Sequence, residues 1–174
     1  MLKTLDGGAH WAACAIPDAA KDGAILDFRG VQAWDATTAI VMASGPSDKS
    51  GLYKTTDGCK SWKLVFLNLD KEGFWDAIRI TGPQTALMIG DPLPHRVLDR
   101  FKVRTFFHFP LYGTIDAGDT WTRLDKDSLF ALSDESGKPS QSIFAASNSS
   151  LLETAQHRWI LFVVGGKRAE LNLL

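Results

Sequence analysis

Three stretches, Thr4-Leu-Asp6-Gly-Gly8-Ala-His-Trp11, Thr55-Thr-Asp57-Gly-Cys59-Lys-Ser-Trp62 and Thr114-Ile-Asp116-Ala-Gly118-Asp-Thr-Trp121, align without a gap. In each, an Asp heads a tight turn and can accept hydrogen bonds from backbone N–H groups a few residues on. Small residues follow, and a glycine there takes the positive φ that a β-carbon would penalise. The Thr closes the strand before the turn, and the Trp opens the next strand with a large ring to bury. Nothing in the octapeptide performs chemistry; it is a device for folding a hairpin.

The three aspartates are 51 and 59 residues apart, close to the ~40–50 residues of one four-stranded propeller blade, with an insertion in the second interval. Strand signals fall where a blade needs them. From Phe28 the chain reads FRGVQAWD, TAIVMAS, GLYKTTD and, past the turn, SWKLVF; from Phe74 it reads FWDAIRI, TALMIGD, a longer region ending in LYGTID, then WTRL. A third copy opens with IFAAS at Ile143, continues with WILFVV from Trp159 and stops in AELNLL. Helical periodicity is nearly absent, Ser128 to Asp134 being the one short candidate. The expected fold is all-β: a β-propeller of four-stranded antiparallel blades, with about three and a half blades present. Residues 1–27 would end one blade, 28–73 and 74–127 would form the next two, the latter with an insertion at 92–110, and 128–174 would form an incomplete one. Since closed propellers have roughly four to eight blades, the chain reads as part of a longer ring.

Composition narrows the function. The 174 residues are 45% hydrophobic and 22% charged with a net charge of −1, so the chain is neither a disordered tail nor electrostatically drawn to nucleic acid. No apolar run approaches the ~20 residues that span a bilayer. The four histidines show no metal-ligand spacing, and no dinucleotide, phosphate-loop or nucleophile-elbow motif is present, so neither metal nor cofactor is expected. Cys14 and Cys59 belong to separate repeats and read as free buried thiols. The compartment stays open; it would be extracytoplasmic, periplasmic or secreted, if a signal peptide lies upstream.

The octapeptides resemble Asp-boxes, also called BNR repeats. The order FRGVQAWD, VMASG, LYKTTDG, SW and then GFWDAIRI, MIGDP, TIDAGDTW resembles propellers of the photosystem II assembly and stability factor type, beside the sortilin-type and sialidase-type propellers. The resemblance implies a fold and a structural role for Thr4, Asp6, Gly8, Trp11, Thr55, Asp57, Trp62, Thr114, Asp116, Gly118 and Trp121. It also implies a non-enzymatic scaffold that binds a protein partner. Two other functions are carried: a sialidase-like hydrolase whose catalytic residues lie outside this chain, and a structural unit of a larger secreted or surface protein. Two departures stand out. Cys59 replaces the second glycine, which predicts a looser turn, and Pro92 to Pro110 replaces a tight hairpin with a basic, aromatic segment.

That segment holds the candidate binding residues Arg96, Arg100, Phe101, Lys102, Arg104, Phe106 and Phe107, suited to an acidic polypeptide through Arg contacts and aromatic anchors. Asp76 and Asp91 are candidate channel-facing acids: alternation puts Asp76 on one face with Phe74, Ile78 and Ile80, and Asp91 ends a buried strand. Open strand edges near Leu2–Leu5 and Ala169–Leu174 would favour self-association. No catalytic residue is assigned.

Overall fold

The computed structural model describes residues 1–16, 26–100, 102–124, 130–144, 150–154, 160–167 and 169–173. In chain order the strands are β1 (Leu2–Lys3), β2 (Ala12–Ala13), β3 (Phe28–Ala33), β4 (Ala39–Ala43), β5 (Gly51–Thr55), β6 (Lys63–Leu67), β7 (Trp75–Ile80), β8 (Ala86–Gly90), β9 (Leu93–Asp99), β10 (Lys102–His108), β11 (Leu111–Thr114), β12 (Thr122–Arg123), β13 (Phe130–Ala131), β14 (Gln141–Ser142), β15 (Leu151–Glu153), β16 (Ile160–Gly166) and β17 (Glu170–Leu173). The fold is all-β and built of propeller blades. Two four-stranded antiparallel sheets, β3-β4-β5-β6 and β7-β8-β11-β12, are complete blades. The hairpin β1–β2 precedes them. After them, β14 and β15 pair successive parts of β16, whose other edge carries β17.

The cores lie between sheets. In β4 every residue from Ile40 to Ala43 is buried: Ile40 and Met42 join Leu52, Trp75, Ile78 and Met88 between the two complete blades. Val41 and Ala43 pack on the opposite face with Tyr53 and Ile16. A strand covered on both sides reads as an unbroken apolar run, which is why AIVMA shows no alternation. The next inter-sheet core joins Ala77 and Ile89 to Phe107, Phe109, Leu151, Phe162 and Val164. Polar ties cross the same gaps. The Ile80 N–H donates to Gln32 Oε1 at 3.2 Å, and the Trp34 indole donates to the Gly82 carbonyl at 3.2 Å.

Each Thr-x-Asp turn joins the last two strands of its sheet and satisfies its own backbone. Asp57 Oδ1 accepts from the Lys60 and Ser61 N–H groups at 2.9 Å each, and Thr55 Oγ1 donates to Asp57 while accepting the Cys59 N–H at 2.9 Å. The same Thr-to-backbone bond closes the turns at Gly8 (2.9 Å) and Gly118 (3.0 Å). Bonds to the ionised carboxylates, from the His10 N–H foremost at Asp6, the Ser61 hydroxyl at Asp57 and the Thr120 hydroxyl at Asp116, hold Asp6 down to about 2 and Asp57 and Asp116 well below the usual range. A Lys before the first two boxes links neighbouring blades. Lys3 Nζ donates to the Gly58 carbonyl at 2.9 Å, and buried Lys54 pairs with Asp119 at 2.8 Å. Gly113 stands at that place in the third box.

Several expectations are corrected. The turn at Cys59 is not looser: Cys59 adopts φ +79° where Gly8 and Gly118 adopt +99° and +89°. What it lacks is the indole bond. Trp11 and Trp121 donate to the Gly8 and Gly118 carbonyls, whereas Trp62 Nε1 is buried without a partner. Cys14 and Cys59 are not free thiols but a disulfide with Cα atoms 5.8 Å apart. The Lys3 contact seats the first hairpin against the second box, which brings the two repeats together. Trp11 is 58% exposed rather than buried and joins none of the hydrophobic cores, unlike Trp62 and Trp121. The one short helical candidate, Ser128 to Asp134, contains strand β13 at Phe130–Ala131, recruited to the edge of β10; residues 125–129 lie outside the described set. The third copy's inner strand begins at Gln141 rather than Ile143.

Candidate binding surface

The insertion is a regular hairpin. β9 and β10 pair through seven residues, from Leu93↔His108 to Lys102↔Asp99, with Arg100 entering the turn at φ +51°. Paired residues share a face and neighbours alternate. One face therefore carries His95, Val97, Lys102, Arg104, Phe106 and His108; the other carries Arg96, Leu98, Val103 and Phe107. The hairpin is anchored at its base. Phe107 is buried with Ala131, and Phe109 meets Phe162 edge to face at 5.5 Å. His108 Nε2 contacts the Arg123 guanidinium, which itself lies 5.9 Å over the Tyr112 ring.

Beyond that base the hairpin is exposed on both faces. Leu98 is 74% exposed, Val103 64% and Phe106 43%, and Phe106 meets Phe130, 57% exposed, edge to face at 6.3 Å. Arg96, Arg100, Lys102 and Arg104 are all exposed. The sequence-based site is thus partly rearranged. Arg96 and Arg104 lie on opposite faces and Arg100 at the tip, so the arginines surround the hairpin instead of forming one patch. Phe107 is a core anchor and not a contact residue, and Phe101 lies outside the described residues. Leu98, Val103 and Phe130 were missed; alternation within KVRTFFH signals Val103, but Phe130 becomes visible only once β13 pairs with β10.

The second candidate lies where the inner strands begin. β3 pairs Phe28↔Ala43 and Gly30↔Met42, leaving Arg29 as a one-residue bulge; β7 pairs Trp75↔Gly90 and Ala77↔Ile89, leaving Asp76 as the same bulge. Beside them the Ser44 N–H donates to the Asp27 carbonyl at 2.8 Å, and the Asp91 N–H donates to the Phe74 carbonyl at 2.9 Å. Asp76 therefore stands where the first blade has Arg29, and Asp91 where it has Ser44. The bulge also interrupts strict alternation: Trp75 and Ile78, three residues apart, enter the same core while Ala77 enters the other.

Asp76 is 3% exposed, and its Oδ2 has no hydrogen-bond partner. Burial above all, then the nearby Asp91 charge, pushes its carboxyl up to about 9. The Asp91 N–H and the Arg29 charge offset only part of this. Half-buried Asp91 accepts the Ile143 N–H on Oδ1 at 3.1 Å. Burial raises it too, with the Ile143 N–H and the Ser142 hydroxyl pulling the other way. Arg29 itself is engaged by Asp27, Nε to Oδ2 at 2.7 Å. Among the described residues no three His, Cys, Asp or Glu side chains converge as a metal site. Tyr53 and Tyr112 are buried within strands.

No helix among the described residues is long and apolar enough to cross a membrane. No family model matches the chain, and no curated protein matches it. Among solved structures, the chain is similar to one described as "YCF48 bound to D1 peptide", at 14% identity and a TM-score of 0.31, over 86% of this chain and 68% of that one.

Proposed function

We propose that the protein is a non-enzymatic propeller of the assembly-factor kind that binds a protein partner through the β9–β10 hairpin. The observation that carries this is the exposure of Leu98, Val103, Phe106 and Phe130 on a hairpin that also bears Arg96, Arg100, Lys102 and Arg104. Exposed apolar residues rimmed by charge mark interaction surfaces, and β9 is the outer strand of its sheet, able to accept an extended segment by strand addition. The partner is an acidic segment with apolar side chains: the aliphatic and aromatic groups supply contact, and the basic groups supply salt-dependent attraction.

The test is crosslinking capture with two variants, one reversing Arg96, Arg100 and Arg104 to Glu and one changing Leu98 and Val103 to Ser. Both should lose the captured partner, the first in a salt-sensitive manner, while circular dichroism stays that of the parent. Unchanged capture by both variants would overturn the reading.

A further inference from the structure

We propose that Asp76 and Asp91, with the Ser142 hydroxyl beside them, form a binding site for a primary ammonium group, as carried by a lysine side chain or a free alkylamine. The proposal does not rest on the hairpin.

The first support is a comparison internal to the molecule. The two complete blades share the same bulge, the same register and the same Ser44-type or Asp91-type N–H bond to the residue before the inner strand. The first blade folds that way with Arg29 and Ser44. An acidic pair is therefore not required to build the strand end, and its presence in the second blade needs another reason.

The second support is the unpartnered oxygen. Asp76 Oδ2 is buried with no donor, and a buried polar atom left unpaired forfeits the hydrogen bonds that water would give it. With no cation between the two carboxyls, the charge of Asp91 helps keep Asp76 from ionising. Arg29, whose charge acts on Asp76, is bonded to Asp27 instead. Asp91 is only partly buried, and Ile143 and Ser142 hold its carboxyl in place. An ammonium brings three donors and one positive charge, which answers the free Oδ2 of Asp76 and the charge of Asp91 together.

The charge balance yields a signature. With the site empty at pH 7, Asp76 holds a proton; an entering ammonium favours the ionised carboxylate, so that proton passes to the buffer. Calorimetric titration with n-butylammonium, and with an Nα-acetyl-lysine amide, in two buffers of different ionisation enthalpy should show release approaching one proton per ammonium bound. Asp76→Asn, of nearly the same shape, should weaken binding at least tenfold and abolish the release. Asp91→Asn should weaken it at least tenfold and serves as the second variant should Asp76→Asn fail to fold. Arg29→Gln, which removes a neighbouring positive charge, should tighten binding several-fold.

Tighter binding of the lysine amide than of butylammonium would assign the site to a polypeptide lysine, and equal binding to a free amine. Absence of saturable binding by the parent protein, or binding that survives both Asp→Asn changes with the same affinity, would overturn the proposal.

Discussion

The first complete blade passes from β4 to β5 through the short loop Ser44–Ser50, with Arg29 at its inner bulge. The second passes from β8 to β11 through the whole hairpin segment Asp91–Pro110, with Asp76 at that bulge. Strand order, the position of the inner bulge and the Thr-Asp turn are shared. The contrast separates what a blade needs from what this blade has added. The additions gather at one end of the sheet, where β8 stops and loops can vary without disturbing the ladder.

The largest way to break the comparison is through the residue just before the bulge. Trp75 is buried and stacks on Phe66 at 5.2 Å, whereas its counterpart Phe28 is half-buried against Tyr53. Trp75→Ala should lower unfolding stability by about 3–5 kcal/mol, as for large aromatic truncations. Phe28→Ala should cost about 1–2 kcal/mol, in line with the smaller area buried. Urea melts measure both; equal losses would show that the second bulge does not anchor the inter-blade core more strongly than the first.

The bulge residue itself gives a smaller, pH-dependent effect. Asp76 binds its proton more tightly in the fold, up to about 9, than in the unfolded chain, near the ordinary 3.8. Between those limits the folded state holds more protons, so stability falls as pH rises, with a slope of at most about 1.4 kcal/mol per pH unit. Asp76→Asn should flatten the decline between pH 5 and 9. Arg29→Gln should leave a decline in place. The turn carboxylates act in the opposite sense: depressed to about 2 in Asp6 and also lowered in Asp57 and Asp116, they stabilise above pH 4 and lose that contribution as pH falls further. Thermal melts across pH 2 to 10 should therefore show a rise, then a decline, and only the decline should respond to Asp76→Asn.

The smallest effect sharpens the comparison at the turns. The residue after the Asp is Gly58 at φ +67° in the first blade and Ala117 at φ +55° in the second. Ala117→Gly should raise stability by roughly 0.5–1 kcal/mol, since relief of left-handed strain outweighs the added freedom of the unfolded chain. Gly58→Ala should do the reverse, its new Cβ also meeting Lys3 Nζ at 2.8 Å. Differential scanning calorimetry that placed both substitutions on the same side of the parent would refute this.

The features legible in the sequence are those governed by contacts within a few residues. The turns at Asp6, Asp57 and Asp116 close on their own Thr and on N–H groups three or four positions on, so the octapeptide carries all the information they need. The apolar run of β4 likewise announces a strand covered on both faces. Features made by partners distant in sequence were not legible. A bulge at Asp76 is a slip of β7 against β8 and leaves no mark in FWDAIRI, so strict alternation misjudges that strand. The exposure of Trp11 depends on which sheet faces it, and the sorting of Phe107 into the core and Phe106 to the surface depends on Ala131 and Phe162. The Cys14–Cys59 bond joins repeats that no local pattern relates. The reach of Lys3 and Lys54 into the next blade's turn likewise joins residues far apart in sequence.

The disulfide also decides how the chain carries load. Cys14 and Cys59 enclose β3, β4 and β5 in a covalent loop while β6 lies outside it. Tension applied along the polypeptide enters at Cys14, crosses directly to Cys59 and bypasses those three strands. The strand in series with the pull is β6, held to β5 by the pairs from Gly51↔Leu67 to Lys54↔Lys63. Opening the bond would place the 45-residue separation back in the line of force, a gain in contour length of roughly 150 Å. One covalent contact between the end of β2 and the turn after β5 thus makes the first three strands of a blade mechanically silent while leaving its outermost strand as the element that yields.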